Sequence, residues 1–160
     1  MKESIDMRGQ LTIRLEDRTG RTVREQRSRN RIVTTGRRLV AEFFSGEFAG
    51  PGPTQVSHMA VGTGSTAATD ADAALEAQRG DRNPISNVTV TEVSDGTVQR
   101  IRVSLRAVFD FGDVNDPGVP LREAGVFTAD AGGVMYNRVV FEPVTKTNAF
   151  RLTLFWDIDF

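Results

Sequence analysis

Three pairs of aspartates are the first residues whose type and spacing could do chemistry. They are Asp70 with Asp72, Asp110 with Asp113, and Asp157 with Asp159. Two carboxylates that lie two residues apart on a strand share one face and can bind Ca²⁺. They can equally be solvated, or paired with a base on a neighbouring strand. Arg151 shares the predicted strand face of the last pair, so the pattern favours a cross-strand ion pair there over a metal site.

A glycine-rich stretch, GTGST at residues 62–66, follows a predicted strand and could be interpreted as a phosphate cradle. A P-loop requires a Lys-Ser/Thr pair at the start of a helix, and a dinucleotide fingerprint requires G-x-G-x-x-G. The sequence contains neither pattern at this place. The stretch therefore predicts a turn in which glycine provides a positive φ and allows a close approach of the backbone.

The residue types that most often carry nucleophilic or metal catalysis are scarce in this chain. It has no cysteine and a single histidine, His58, which excludes thiolate chemistry and any cysteine or multi-histidine metal cluster. His58 lies in the alternating segment QVSHMAVG, a pattern typical of a partly exposed strand residue. The sequence assembles no nucleophile, base and orienting group. We predict a protein that is not an enzyme and has no catalytic residues, no cofactor and no metal.

One acid is predicted to need a basic partner inside the fold. In the segment LREAGVF, Arg122 and Glu123 point to opposite faces of a strand, so one of them turns toward the core. A charged side chain in that position must be paired. Arg138 or Arg151 could pair with Glu123, and we interpret Glu123, Arg138 and Arg151 as candidates for a structural ion pair.

Charge is distributed unevenly along the chain. Residues 1–38 hold ten arginines and one lysine against five acids, a balance of +6, whereas the whole chain has a formal net charge of −1. Arginine forms bidentate pairs with carboxylates and with phosphates, but no aromatic residue is interleaved among these arginines to stack on a base. The pattern favours a protein partner over nucleic acid. The candidate partner contacts are Arg21, Arg24, Arg27, Arg29 and Arg31.

Strands and one helix are the elements that must position these residues. QLTIRLE and RTVRE, joined by DRTG, predict an N-terminal β-hairpin. GRRLVAEFFSG has helical spacing, with Thr34 or Thr35 as the N-cap and Gly46 at the C-terminal end. Long loops are predicted at residues 47–55 and 65–84, because both stretches lack a strand or helix period.

The second half of the chain predicts successive antiparallel strands separated by turn signals. The apolar positions change parity between Val98 and Ile101, which predicts a bulge near Gln99–Arg100. The closing strand, Phe150–Phe160, alternates strictly between apolar and other residues. Its apolar face includes Trp156 and indicates a central strand of the core.

Together these elements predict a mainly β fold, an antiparallel β-sandwich or barrel-like domain of eight to ten strands with one short α-helix. A length of 160 residues fits a single domain. We divide it into an arginine-rich N-terminal hairpin or arm at residues 1–30, which can extend to a neighbouring subunit, and a core at residues 28–160. No apolar run could span a bilayer, and the start MKESIDMRGQ is polar. We therefore expect no membrane partner and a product made in the cytoplasm.

Six elements follow one another in a specific order. They are NRIV with the LVA helix behind it, MAVGTGST, Asp72 and Leu75-Glu76 with Arg79 or Arg82 beyond, LREAGVF, NRVVFEPVTK and LTLFWDI. In this order they resemble a family of tailed-bacteriophage virion structural proteins, in which similar GTG, RE-x-G-[LV]-F, R-x-x-F-x-P-x-x-K and L-x-x-x-W-x-I motifs occur in tail-fibre, tail-collar and related small proteins. The resemblance covers roughly residues 28–160. The chain shows no long repetitive shaft, which favours an adaptor or decoration protein over a complete fibre.

The resemblance implies a non-enzymatic structural component of a bacteriophage virion, made in the host cytoplasm. It implies binding to its own copies, as a homo-oligomer such as a trimer or ring, and to neighbouring tail, neck or baseplate proteins, as an adaptor or fibre-attachment protein. One alternative is a capsid decoration protein on the head. A second is a receptor- or carbohydrate-binding module, which would need exposed aromatic side chains. The N-terminal hairpin and the two long loops are the predicted contact surfaces.

Overall fold

The computed structural model describes residues 7–48, 50 and 52–160. Within them, nine antiparallel strands form one nearly closed, barrel-like sheet, accompanied by one helix. The elements in chain order are β1 (Arg8–Asp17), β2 (Thr22–Arg29), β3 (Arg31–Ile32), α1 (Thr34–Ser45), β4 (His58–Gly62), β5 (Gln78–Asp95), β6 (Val98–Phe109), β7 (Leu121–Phe127), β8 (Met135–Val144) and β9 (Phe150–Asp159). The prediction of a mainly β, barrel-like fold with one helix is confirmed.

The strand order explains how the sheet curls on itself. It runs β2-β1-β9-β6-β5-β4-β7-β8-β3. Strand β5 forms the corner, since it pairs with β4 as far as Pro84 and with β6 from Ile85 onward. A register shift between Ile85 and Asn87 marks the place, because an extra residue bends a strand.

Strand β9 occupies the centre of one side of the barrel, between β1 and β6. Trp156 is fully buried and lies opposite Leu11 of β1 and Leu105 of β6. The next residue in the chain, Phe155, faces the outside, where the guanidinium of Arg14 lies 4.8 Å from its ring centroid. The alternation of the closing strand therefore separates the core from the surface as predicted.

The N-terminal hairpin belongs to the barrel. Strand β1 pairs with β9 along its whole length, and Leu11, Ile13 and Leu15 are buried in the main core. The predicted hairpin is present as β1 and β2, and the core begins with β1, earlier in the chain than the predicted boundary at residue 28. Burial of three branched apolar side chains stabilises β1 inside the sheet.

Helix α1 packs on β8 through a close backbone approach. Gly36 lies against the carbonyl group of Tyr136, where a Cβ atom would collide, and Leu39 is buried. Gly46 ends the helix in the left-handed conformation, with φ of 71°, as predicted. At 12 residues this helix is too short for a bilayer, and the described chain holds no other helix that could cross one.

The start of the helix differs from the prediction. Val33, and neither Thr34 nor Thr35, occupies the N-cap position, and its side chain makes no capping hydrogen bond. The hydroxyl of Thr35 donates instead to the carbonyl of Met135 at 2.7 Å. A tertiary contact with β8 has thus replaced the local cap.

Two further predictions are wrong in the middle of the chain. Strand β5 begins at Gln78, so the loop predicted at 65–84 is shorter, because polar residues suffice for a strand whose side chains are exposed. The ladder between β5 and β6 runs without a register shift at Gln99–Arg100. The change of parity arises because Val98 is an exposed residue on the outward face, whereas Ile101 lies on the inward face.

The position of Trp156 yields a stability prediction. Replacing it with alanine leaves a large cavity at the centre of β9, and we expect a loss of about 3–5 kcal/mol in the free energy of unfolding. The matched control is Phe155→Ala on the outer face of the same strand, which should cost about 1 kcal/mol. Urea denaturation measures both. Equal losses for the two variants would contradict the placement of the core.

Candidate functional site

The carboxylate of Glu123, on β7, is fully buried. Its Oε1 accepts hydrogen bonds from the backbone N–H groups of Gly64, at 3.1 Å, and Ala77, at 2.7 Å. Its Oε2 accepts from the N–H of Glu76 at 3.0 Å and from Nε of Arg138 at 2.8 Å. The buried charge is therefore surrounded by donors and balanced by a cation, the two conditions that make burial of a carboxylate tolerable.

Arg138, on β8, uses three guanidinium nitrogens to join separate parts of the chain. Besides the bond to Glu123, Nη1 donates to Asp72 at 2.9 Å and Nη2 donates to Glu76 at 3.4 Å. Burial lowers the pKa of Arg138, but the hydrogen bonds to Glu123 and Asp72 outweigh burial, and the pKa lies above its ordinary value. We call Glu123, Arg138, Asp72 and Glu76 the ion network.

Hydrogen bonds within the 63–77 loop keep its two network carboxylates ionised. The backbone N–H and the hydroxyl of Thr66, each 2.9 Å from Glu76, lower the pKa of that side chain. At Asp72, burial raises the pKa, but hydrogen bonds from Thr69 and Arg138 outweigh burial, so the pKa lies below its ordinary value. The loop thus presents two stable anions to one buried cation.

The glycines of the GTGST stretch serve this network. A Cβ on Gly62 would lie 2.5 Å from Oε1 of Glu123, and a Cβ on Gly64 would lie 2.6 Å from the same atom. Neither glycine is among the residues with a positive φ. The predicted close approach is confirmed and the predicted positive φ is wrong. The stretch surrounds the carboxylate of Glu123. In a phosphate cradle, a bound phosphate would occupy this place.

The 63–77 loop also closes a second, smaller core on the outside of the sheet. The residues of this cluster are Val33, Ala60, Leu75, Phe127 and Met135. The carbonyl of Asp70 accepts the N–H of Thr34 at 2.9 Å, at the start of α1. Its carboxylate pairs with Arg31 at 2.9 Å. Anchoring of the loop therefore positions the helix as well as the strands beneath it.

The structural ion pair proposed from the sequence involves Arg138 rather than Arg151. Arg151 lies on the outer face of β9 and pairs with Asp110, with 3.1 Å between Nε and Oδ1. Asp159 pairs with Arg102 of the neighbouring strand β6, at 2.7 Å. Asp157, which shares that face, accepts a hydrogen bond from Ser104 at 2.6 Å. The predicted cross-strand ion pair thus has Arg102 as its base.

Other candidates from the sequence occupy ordinary positions. His58 is half-buried on β4, with 2.8 Å between its Nδ1 and the hydroxyl of Ser57. Across the described ranges, no cluster of three or more histidine, aspartate or glutamate side chains could hold a metal ion. His58 and the described acidic residues therefore offer no built catalytic or metal site.

The five candidate contact arginines divide into two groups. Arg24 donates to the carbonyl of Pro143 at 2.8 Å, and Arg31 pairs with Asp70, so both support the fold. The other three, Arg21, Arg27 and Arg29, lie on β2 or in the turn before it and are exposed, as Arg24 and Arg31 also are. Arg21 pairs with Asp17 at 3.6 Å and Arg27 pairs with Glu25 at 3.8 Å, both within the N-terminal hairpin. These three remain the best-placed arginines for an external partner.

Lys146 is a buried residue that sequence reasoning missed. It is 1% exposed, and its Nζ donates to the carbonyl of Asp110 at 2.8 Å, to Oδ1 of Asn115 at 3.0 Å and to the carbonyl of Thr147 at 3.3 Å. Burial lowers its pKa. The signal in the sequence is its type, since it is one of only two lysines in a chain with 18 arginines.

Comparison with known proteins adds no relative. No protein-family model, no curated protein and no solved structure matches this chain. The site is therefore judged on its geometry alone. Its charges are directed at one another and at backbone groups, which makes it a device for fixing a loop.

Removal of Arg138 should be far more damaging than removal of a surface arginine. Arg138→Met leaves the Glu123 carboxylate buried without its cation, and we expect a loss of about 3–5 kcal/mol in the free energy of unfolding. Arg151→Met is the matched control, because its pair with Asp110 is largely exposed and should contribute about 0–1 kcal/mol. Urea denaturation at pH 7 compares them. A loss at Arg138 no larger than the loss at Arg151 would refute the role of the network.

The loop carboxylates predict a defined response to acid. Both pKa values lie below the ordinary 3.8 of Asp72 and 4.5 of Glu76, so in acid the folded chain binds fewer protons than the unfolded chain. Their stabilisation is complete above pH 4.5 and is lost as the pH falls through the folded-state values. Denaturation curves from pH 7 to about pH 3 should therefore decline less steeply for Asp72→Asn/Glu76→Gln than for the unchanged chain. Identical slopes would show that these groups are not linked to folding.

Proposed function

We propose that this chain is a non-enzymatic structural component of a bacteriophage virion, an adaptor or fibre-attachment protein that binds its own copies and neighbouring virion proteins. One observation carries the proposal. Three of the segments that resemble phage proteins, which are far apart in sequence, meet in the ion network through Gly64, Glu123 and Arg138. Motifs that meet in space constrain one another, and this supports interpreting them as one set of structural motifs.

The chemistry of the network supports a structural role. Glu123 and Arg138 are buried and are engaged by protein groups on every side that the structure describes. A catalytic acid or base must present an atom to a substrate. These groups present theirs to the 63–77 loop, so the network supports the fold.

The surface supports a protein that works in an assembly. Most of the large exposed apolar side chains of the described residues lie in two regions, near the end of α1 and on the β5–β6 hairpin. They include Phe43, Phe44, Phe48, Val88, Val90, Val98 and Ile101. Exposed apolar side chains grouped in this way are common at sites of protein contact. Trp156 and Tyr136, in contrast, are buried, which leaves less support for a carbohydrate-binding module.

The arginine-lined β2 strand is the proposed contact with acidic surfaces of neighbouring virion proteins. Arg21, Arg27 and Arg29 are exposed there. Exposed charges are screened over a Debye length of about 8 Å at physiological salt. Attachment through this strand should therefore weaken as the salt concentration rises.

Mass spectrometry of purified particles tests the proposal. Particles are prepared from the phage or prophage that encodes the chain and separated into head and tail fractions. We expect the chain in the tail fraction in several copies per particle. Its presence in the head fraction alone would favour capsid decoration, and its absence from intact particles would refute a virion role.

Charge reversal tests the arginine contact. When supplied in trans to particles that lack the chain, Arg21→Glu/Arg27→Glu/Arg29→Glu should be incorporated at least about tenfold less than the unchanged chain. The matched control, Arg38→Glu/Arg79→Glu, reverses two exposed arginines elsewhere and should be incorporated normally. Equal incorporation of both variants, together with insensitivity to about 1 M salt, would exclude this surface.

A further inference from the structure

We define Ser86–Ile101 of the β5–β6 hairpin as the ribbon. Its first residues, up to Thr91, face β6 residues that also pair with β9, and the ribbon is two-stranded only from Glu92 to Ile101. Strand β9 pairs with β6 only from Arg102 onward. Most ribbon residues are exposed. By itself a two-stranded hairpin is only marginally stable in water, and near the tip of this one Arg8 of β1 pairs with Asp95 at 3.3 Å.

One face of the ribbon continues the apolar interior of the barrel. Val88 lies opposite Leu105, and Val90 lies opposite Val103, so these valines share the inward face. They are nevertheless 55% and 65% exposed, and Ile101 on the same face is 43% exposed. The ribbon therefore offers branched apolar side chains to water.

The edge of β5 that faces away from β6 is also open beyond Ile85, since no other described strand pairs with it there. Strand β4 leaves β5 where the N–H of Ile85 donates to the carbonyl of Ser57 at 2.8 Å. From Asn87 to Asp95 the strand ladder given by the described residues is with β6 alone. This edge holds no lysine and no proline, two common devices that prevent edge pairing.

The direction of the unpaired backbone groups follows from β6. Ile101 and Phe160 exchange backbone hydrogen bonds of 3.3 and 2.9 Å, so the N–H and C=O of Ile101 point away from β5. Glu92 lies directly opposite Ile101, and its own groups therefore point away from β6, toward the open edge. Alternation places the backbone groups of Val88 and Val90 at that edge as well.

Strand β2, at one end of the strand order, has a protected edge. On β2, the side chain of Arg24 donates to the carbonyl of Pro143 at 2.8 Å, and Gln26 donates to the carbonyl of Glu142 at 2.9 Å. These contacts cover the gap between β2 and β8. The open edge of β5 therefore differs from the protected edge of β2 in the same sheet.

We propose that the open edge of β5 pairs, antiparallel, with the same edge of a second copy of this chain, about a two-fold axis at Thr89. Only an extended backbone satisfies a row of alternating donors and acceptors. In this register Val88 of each copy lies opposite Val90 of the other. The backbone N–H and C=O groups of both residues point toward the open edge and can bond to each other, and the valine side chains pack together. Asn87 lies opposite Thr91.

Charge supports a second copy as the occupant. Glu92 is the only charged residue between Ile85 and Ser94. In the proposed register the two Glu92 residues are offset by about six positions, or about 20 Å, so they do not repel each other. The strand is thus complementary to itself. The inference deepens the proposed function, and its place in an assembly rests on that function.

The proposed pairing closes on itself. A two-fold contact uses the same surface on both copies and is complete at two chains. It keeps the inward faces of both ribbons on one side of a continuous sheet, so the valines of both copies form a single apolar strip. The arginine-lined β2 strand lies elsewhere in the sheet order and stays available for other proteins.

A cysteine cross-link tests the register. The chain has no cysteine, so Thr89→Cys introduces the only thiol. Residues that face each other in a pair without direct hydrogen bonds have Cα atoms about 4.5 Å apart, within the range of a disulfide. Mild oxidation should convert most of Thr89→Cys to a covalent dimer. Thr91→Cys, offset by about 13 Å from its copy, and the exposed Val119→Cys should stay largely uncrosslinked. Cross-linking at Thr91 but not at Thr89 would overturn the proposal.

Sedimentation tests the edge without a cross-link. The unchanged chain should sediment as a dimer at about 0.1 mM. Val90→Pro removes an N–H that faces the open edge and no N–H of the β5–β6 ladder, and it should raise the dimer Kd at least about tenfold. The control Val98→Lys alters an exposed valine on the opposite face and should leave the Kd unchanged.

The sedimentation results decide whether β5 pairs with a second copy. A monomeric unchanged chain, or a Val90→Pro variant that dimerises as well as the unchanged chain, overturns it. Detection of the chain in particles decides the proposed function separately. A chain that is present in particles yet monomeric in solution would refute only the self-pairing of β5.

Discussion

The ion pair between Glu123 and Arg138 is the interaction on which most of this structure depends. Each charge would cost several kcal/mol to bury alone. The cost is offset because Glu123 accepts three backbone N–H groups from the 63–77 loop and because Arg138 also binds two loop carboxylates. The loop then covers the outer cluster around Phe127 and holds the start of α1. One buried pair thus links two strands, a long loop and the helix.

The barrel and the loop are stabilised by different physics. Inside the barrel, strands β1, β6 and β9 pack branched and aromatic side chains around Trp156, and the stabilisation grows with buried apolar area. On the outside, directional bonds to fixed charges select one loop conformation. The two meet at Gly62 and Gly64, where any side chain would displace the carboxylate. The ribbon lies in neither the barrel core nor the 63–77 loop. Its exposed valines and its open edge are available for a partner.

Local sequence patterns correctly predicted the features that depend on residues close together in the sequence. The alternation of Phe150–Phe160 identified a core strand, and Gly46 identified the end of the helix, because each signal acts within a few residues. The N-cap was mispredicted because Thr35 bonds to a strand about 100 positions away. The sequence indicated that Glu123 needs a base, but the choice between Arg138 and Arg151 depends on which strand lies next to β7. The predicted start of β5 lies too far along the chain because the first residues of this strand are polar and exposed.

Hydrogen exchange at the amides of Gly64 and Ala77 shows whether the ion network fixes the 63–77 loop, because both amides donate to the buried carboxylate of Glu123. If the ion network fixes the 63–77 loop, these two amides open only with the whole fold. We expect them to exchange as slowly as the amides of β9. Exchange at the rate of exposed loop amides, with β9 still protected, would contradict this role of the network.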